Sequence, residues 1–544
     1  MKIETFIEKF DLFADTPDAV AKMRELIRHL AIAGKLVHQD ISEGTALDLL
    51  DQIAAHKSAL EKSGQPRGRT AVVPVPADDG AYALPASWIR VRFGEIVVNR
   101  DGERIPVSKE ERETKAKTYD YYGASGVIDK IDNYLFDKPL LLVGEDGANL
   151  INRSTPIAFI ARGKYWVNNH AHVIDGISEE FLRFIELHIN AINLEPYVTG
   201  SAQPKMNQAK MNSILIALPP LAEQKRIIAK VDELMAVCDR LEEQLKDRET
   251  RHAALSRAAL ARFAEAPTPA NLHYLFHESF AISPADLRKT ILTLAVQGKL
   301  VPQDPSDEPA EVLVARIAAM RRLKKVKEYA PVSQDESPYD VPLSWSWVRL
   351  GNISLTSDSG WSPQCHSEAR EGENWGILKV SAVSWGVFKP EENKALPLGM
   401  EPRPDCEVQP GDFLLSRANT EELVARSVVV DKTPPRLMMS DKIVRFTFSD
   451  EVEKGFVNLA NTSDASRAYY ARNAAGTSSS MKNVGREVMC NLPIPLPPVA
   501  EQRRIVAKVD ELMALVDTLE TQLATARRTA EALLAAAVAE LTSP

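Results

Sequence analysis

A chain of 544 residues has room for three or four domains. Its 44% apolar and 26% charged residues are ordinary for a globular protein. No apolar run reaches the roughly 18 residues that would argue a membrane span. The early acidic N-terminus shows no signal-peptide core, so a cytoplasmic, non-membrane protein is expected. The formal net charge of −9 excludes a uniformly basic, nucleic-acid-coating surface. Cys238, Cys365, Cys406 and Cys490 form no C-x-x-C pair, which excludes a disulfide or zinc framework.

In chain order, the first 60 residues read as helical. Thr16-Pro17-Asp18 has the form of a cap with Pro at the first helical position, and Gly34 suits the left-handed position just past a helix end. Residues 61–83, rich in Gly and Pro, read as a linker. Pro85-x-Ser87-Trp88-x-x-Val91-Arg92-x-Gly94-x-Ile96 opens a mixed α/β block. Buried strands are expected at 140–143 and 156–160 and a helix at 180–192. The block ends in a polar stretch, Gly200 to Asn207.

Next comes Leu218-Pro219-Pro220-Leu221-Ala222-Glu223-Gln224. It opens a helix whose apolar residues Ile227, Val231, Leu234, Cys238, Leu241 and Leu245 are spaced as a coiled-coil seam. If helical from about 221 to 263, it is about 60 Å long. The whole plan then recurs. Met23–Asp40 returns as Leu287–Asp304, with Ser283-Pro284 as the cap, and the Ser-Trp opening returns at Pro342 to Ile353. The long helix returns at Leu496 with 21 of 28 positions identical and a seam of Ile505, Val509, Leu512, Val516, Leu519 and Leu523. Beyond Leu523 the seam is expected to continue through Ala526, Ala530, Leu533 and Ala537. The segments between the repeats, about 97–213 and 354–491, are unlike each other. The second should hold strands at 376–380, 412–415, 428–430 and 443–448, and it ends in a polar stretch from Gly476 to Asn483. Each long apolar stripe needs a partner, and the simplest partner is the other copy.

This arrangement resembles the specificity subunit of a Type I restriction–modification system. The likeness rests on the paired Leu-Pro-Pro-x-Ala-Glu-Gln starts, the paired Ala-x-x-Gly-Lys-Leu-Val helix ends at Ala31 and Ala295, and the paired Ser-Trp openings. It rests further on Tyr121-Tyr122-Gly123-Ala124-Ser125-Gly126, Val143 to Asn149 and Val167 to His172 in the first block. In the second block, Pro410-Gly411-Asp412-Phe413-Leu414-Leu415-Ser416-Arg417 carries it. The resemblance implies an α+β protein with two α/β target-recognition domains. They would be separated by long duplicated helices forming an antiparallel coiled coil in a pseudo-twofold arrangement. The implied layout is an N-terminal helical region and linker (1–83), recognition domain one (84–217), a central helix and connector (218–340), recognition domain two (341–495) and a C-terminal helix (496–544). About 83 residues ahead of the first recognition domain make the chain look circularly shifted within the family's repeat.

The function implied is DNA sequence recognition without catalysis, each domain reading half of a bipartite double-stranded target. Two modification subunits, holding S-adenosylmethionine, and restriction subunits would complete the complex; no cofactor is expected in this chain. No Gly-rich phosphate loop with Lys-Ser/Thr appears and no methyltransferase motif. Candidate DNA contacts in block one are Tyr121, Tyr122, Ser125, Asn149, Arg153, Asn168, Asn169, His170, Gln203, Lys205 and Asn207. Those in block two are Arg417, Asn419, Ser478, Ser479 and Lys482. Gln203 and Asn207 carry the donor–acceptor pair that adenine's major-groove edge requires, and Lys205 suits guanine or phosphate. Each has a plainer alternative: the loop after Gly200 as a solvated connector, Arg417 as an ion pair with Asp412, the tyrosines as core. His170-x-His172 could be a metal pair, a base-edge contact or structural. The blocks hold 16 basic against 17 acidic residues (84–216) and 17 against 19 (341–495). Neither is basic, so a partner is expected to supply most phosphate contacts. The competing reading is a coiled-coil scaffold whose blocks bind protein.

Overall fold

The computed structural model of the chain describes residues 3–62, 83–200, 203–266, 282–476 and 481–542, apart from positions 15, 366 and 385, together with 268, 270, 271 and 275. The linker expected over 61–83 lies almost wholly outside them, as do Ser478 and Ser479. The chain divides into two units, Met1–Arg248 with Ala524–Pro544, and Glu249–Leu523.

In the first unit, β1 (Ile89–Arg92) pairs antiparallel with a strand far along the chain, β10 (Leu215–Leu218), with Ile89 opposite Leu218. The reader is built between them. One four-stranded sheet joins β2 (Val98–Asn99), β6 (Leu140–Gly144), β7 (Ala158–Ala161) and β9 (Ala171–Asp175) in the order β2-β9-β6-β7. The other joins β3 (Tyr119–Gly123), β4 (Gly126–Ile131), β5 (Phe136–Asp137) and β8 (Lys164–Val167) in the order β4-β3-β8-β5, with β3 and β8 parallel. Every residue of β6 is buried, as its unbroken apolar run requires. The helix Glu179–Ala191, capped by the Ser178 side chain accepting from Phe181 N–H, covers the first sheet.

The second unit has the same frame around a reader of unlike sequence. β11 (Ser346–Arg349) pairs antiparallel with β21 (Pro493–Leu496). A four-stranded antiparallel sheet runs β12 (Ser354–Ser359), β19 (Ile443–Phe448), β15 (Phe413–Ser416), β17 (Ser427–Val429). Beside it lie β14 (Asn393–Ala395), β13 (Gly376–Leu378) and β18 (Leu437–Met438) in one small sheet, and β16 (Ala418–Asn419) paired with β20 (Lys482–Asn483).

Two long helices, Leu221–Glu265 and Val499–Thr542, each begin two prolines after the closing strand of a reader. Proline tolerates the first helical turn because its missing N–H would be unpaired there anyway. In the first unit, Ile227, Val231, Leu234 and Cys238 share a core with Leu534 and Leu541, and Leu241 and Leu245 pack at its edge. In the second, Ile505, Val509, Leu512 and Val516 share a core with Ala259 and Phe263, with Leu519 at its edge. The start of each helix thus packs on the end of the other, which is what an antiparallel pair requires.

Two expectations need correction. Leu523 is 39% exposed and Leu533 49% exposed, while Leu534 is buried. The buried position has moved by one residue, which is the direction in which a 3.6-residue helix drifts against a 3.5-residue repeat. The first capping motif also differs: the helix runs Ala19–Ile32 with Asp18 at φ 59, and Thr16 donates its hydroxyl to the Phe13 carbonyl, so Thr16-Pro17 belongs to the preceding turn. In the second copy the motif caps as expected, with Ser283 accepting from Asp286 N–H and Pro284 at the first position.

Candidate nucleic-acid interface

The site is held by a joint built twice. Trp88 Nε1–H donates to Glu223 at 3.0 Å and Trp345 Nε1–H to Glu501 at 2.9 Å. Gln39 donates to Glu223 at 2.6 Å and Gln303 to Glu501 at 2.5 Å, and each glutamine also reaches the carbonyl of Gly34 or Gly298 at 3.3 Å. Gln224 and Gln502 donate to the carbonyls of Pro219 and Pro497. Arg226 pairs with Glu43 and Arg504 with Asp307, both at 2.6 Å. Arg24 grips Asp239 and Glu242 as Arg288 grips Asp517 and Glu520. Each tryptophan ring stands edge-on to a phenylalanine of its reader, Phe184 or Phe456. Burial pushes the Glu223 and Glu501 carboxyls up, and their hydrogen bonds offset this only in part. The two Leu-Pro-Pro-x-Ala-Glu-Gln motifs are therefore the bolts between helix and reader.

In the first reader, four loops meet at one rim. The β3–β4 turn lies against Gly144, whose added Cβ would sit 2.8 Å from the Ala124 carbonyl. Glu145 N–H donates to the His170 carbonyl and Met206 N–H to the Glu145 carbonyl, which stitches in the turn after β8 and the loop after Gly200. Beneath the rim lies a charged network. Arg104 donates to Glu145 at 3.0 Å and to the Ala171 carbonyl at 2.8 Å, and Lys205 pairs with Glu145 at 3.1 Å. His172 Nδ1 lies 2.6 Å from Asp101, and its Nε2 3.0 Å from the Met206 carbonyl. Burial alone would push the Asp101 and Glu145 carboxyls up. For Asp101 the His172 hydrogen bond, and for Glu145 the Arg104 and Lys205 bonds with the charge of His172, outweigh it and hold both below the usual range.

The rim exposes Ser125, Asn169, His170 and Gln203. His170 is half exposed and Nδ1 sits 2.8 Å from Asp146. Several other candidates are already committed inside the protein. Tyr121 is 1% exposed, with its hydroxyl bonded to both backbone groups of Val107. Tyr122 packs among Phe159 and Tyr165. Asn168 is buried and accepts from His170 N–H. Asn149 closes its own loop on Ser154 and Thr155, and Asn207 caps the short helix Gln208–Asn212 by accepting from Lys210 N–H. Arg153 points away from the rim, donating to the Ile189 carbonyl. Lys205 is at the rim but neutralises Glu145. The His170-x-His172 pair is split between rim and core, and no cluster of three potential metal ligands exists among the described residues. Sequence reasoning missed Arg104 and Asp101, which shape the rim from below; nothing distinguishes them in the sequence from other charged loop residues.

In the second reader, Arg417, Asn419 and Lys482 come together. Arg417 N–H donates to the Lys442 carbonyl and its own carbonyl accepts from Val484 N–H, so it is pinned between β19 and β20. Its Nε is buried without a hydrogen-bond partner. The alternative pairing with Asp412 is absent: Asp412 pairs with Arg445 at 3.0 Å. Asn419 faces Lys482 across the β16–β20 pair and donates to Ser384 Oγ at 2.8 Å, while Lys482 donates to the Gly476 carbonyl.

The family model for the Type I restriction modification DNA specificity domain matches residues 85–248. The EcoEI specificity subunit of Escherichia coli is 32% identical, covering 96% of this chain and 93% of that one. The EcoAI specificity subunit of Escherichia coli is 27% identical, covering 97% and 95%. A solved HsdS subunit from Thermoanaerobacter tengcongensis is 18% identical, covers 84% of this chain and 97% of that chain, and has a TM-score of 0.38. The likeness to specificity subunits runs the length of the chain, which leaves no support for a bare coiled-coil scaffold. The chain belongs to the family of Type I restriction enzyme specificity subunits, the DNA-recognition components of Type I restriction–modification systems.

Proposed function

We propose that the two readers, 84–217 and 341–495, each take one half of a bipartite double-stranded DNA target. The helices set the distance between half-sites and carry one modification subunit at each copy of the joint. The observation that supports this most is the joint itself: the same Trp–Glu–Gln contacts fasten two unlike readers to two like helices. Contacts proposed for the first half-site are Ser125, Asn169, His170 and Gln203; for the second, Arg417, Asn419 and Lys482. Arg417 has the fork that a guanine edge takes, on a backbone pinned at both its N–H and its carbonyl, with the charge of Asp441 nearby. Near-neutral readers leave phosphate neutralisation to the modification subunits, which would also hold S-adenosylmethionine and do the methylation. This chain would then act in the cytoplasm, without catalysis of its own, in a complex that restriction subunits can join. Exchanging residues 97–213 for another reader should change one half of the methylated motif and leave the other half and the spacer alone. Methylome sequencing reads this directly; a change in both halves or neither overturns it.

A further inference from the structure

The first unit contains a cavity of about 1030 Å³ that the DNA-recognition reading does not use. Its walls come from the helix Ala19–Ile32, the loop 153–157, the helix Glu179–Ala191, and the first and last portions of the two long helices. The lining is apolar at Leu26, Leu187, Val231 and Leu534, and cationic at Arg28 and Arg153. Its volume is at the upper end of the roughly 300–1,000 Å³ typical of small-molecule sites, and its wall also carries the charged groups Lys22, Glu25, Arg183, Glu186 and Asp232.

The two arginines are otherwise unexplained. Among the described residues neither forms an ion pair, and Arg153 makes one long bond, 3.3 Å, to the Ile189 carbonyl. Burial pushes both guanidinium groups down, and the nearness of Arg28 lowers Arg153 further. Half-buried like charges are costly unless something answers them, and the charge of Glu25 offsets the burial of Arg28 only in part. Arg153 also holds a left-handed backbone at φ 49, a strained conformation for a non-glycine residue. The duplication shows that the frame does not need this charge. At the repeat's own offset Arg28 becomes Leu292 and the adjacent His29 becomes Thr293, and the equivalent helix still forms, Pro284–Val296. Glu186 also faces the cavity. Burial pushes its carboxyl up to about 7, against the pull of Arg183 and Arg162, so near neutrality it can still donate a proton to an acceptor.

We propose that this cavity binds a small organic anion: an apolar body of nucleotide size whose carboxylate, phosphate or sulfonate lies between Arg28 and Arg153. Walls from five segments of one unit surround a pocket that is partly open to solvent, so a small molecule can enter it directly. The test uses the full-length chain and 8-anilinonaphthalene-1-sulfonate, a fluorescent aromatic anion, as the probe. One saturable site is expected. Arg28→Leu, which copies the residue at the equivalent repeat position, and Arg153→Gly, which relieves the left-handed strain, should each weaken binding about tenfold while circular dichroism stays unchanged. Absence of saturable binding, or equal affinity in both folded variants, overturns the proposal. Adding purified modification subunits supplies the second arm. Retention of the probe in the assembled complex supports a small-molecule site, and its displacement reassigns the cavity to a protein partner.

Discussion

The two units differ least where helix meets reader and most where reader meets solvent. The Trp–Glu–Gln joint, the Arg–acid clamps and the closing strand pairs recur with distances matching to a few tenths of an ångström. The readers share a core sheet plan under unlike sequences: β2-β9-β6-β7 and β12-β19-β15-β17 are antiparallel sheets of the same strand order, and β3 lies between antiparallel β4 and parallel β8 as β13 lies between β14 and β18. The two units therefore keep both the mounting and the sheet order, and differ in the sequence carried on them. A second difference lies inside the frame. The first copy places a charge at Arg28 where the second carries Leu292, so one mounting has a feature that the other lacks.

Paired substitutions test whether the two joints are equivalent. The largest effect is expected at the tryptophans. Trp88→Ala and Trp345→Ala remove side chains that are 4% and 5% exposed, and each should cost about 3–5 kcal/mol. Denaturant titration following each unit separately would read this; a cost confined to one unit would show that the joints are not equivalent. Next come Gly34→Ala and Gly298→Ala. Both glycines sit at φ near +70, where an added Cβ would stand 2.5 Å from the ring of Pro85 or Pro342. Each substitution should cost about 2–3 kcal/mol, visible as a lower melting temperature.

Glu223 and Glu501 give a pH test. Their folded carboxyls are raised above the ordinary value, so the associated stability is full at low pH and falls as pH rises through the folded value. Melting of Glu223→Gln and Glu501→Gln across this range should show a flatter profile than wild type, in the same direction for both. Glu186 has no matched partner and should act alone. With its carboxyl near 7, Glu186→Gln should leave stability unchanged in acid and raise it above neutrality. The smallest effects separate the two caps. Ser283→Ala removes a capping acceptor and should cost about 1 kcal/mol, whereas Asp18→Gly, at φ 59, should be neutral or stabilise by a few tenths. Calorimetry that found the same sign for both would contradict the difference in capping.

The frame was legible in the sequence because duplication repeats a periodic pattern, and periodicity maps directly onto a helix face. The expected helix at 221 to about 263 and the strand at 443–448 agree with Leu221–Glu265 and Ile443–Phe448. The seam failed from Leu523 onward, where the drift of a 3.6-residue helix is invisible to heptad counting. The rim was less legible for a different reason. Asn149, Asn168 and Asn207 have the right chemistry for base edges, but their own loops consume it. Residue type states what a side chain can bond, and only the fold decides whether a neighbour has already claimed it.

The four-residue pairing of Ile89–Arg92 with Leu215–Leu218 has one more consequence. Directly opposed residues in an antiparallel pair have Cα atoms about 4.5–5.5 Å apart. Entry to and exit from the first reader are therefore fixed at that gauge, and two prolines later the exit becomes a helix. Any foreign fold whose termini match the gauge can be spliced into this socket, whatever its size or sheet order, and its aim will be set by the socket rather than by its own architecture.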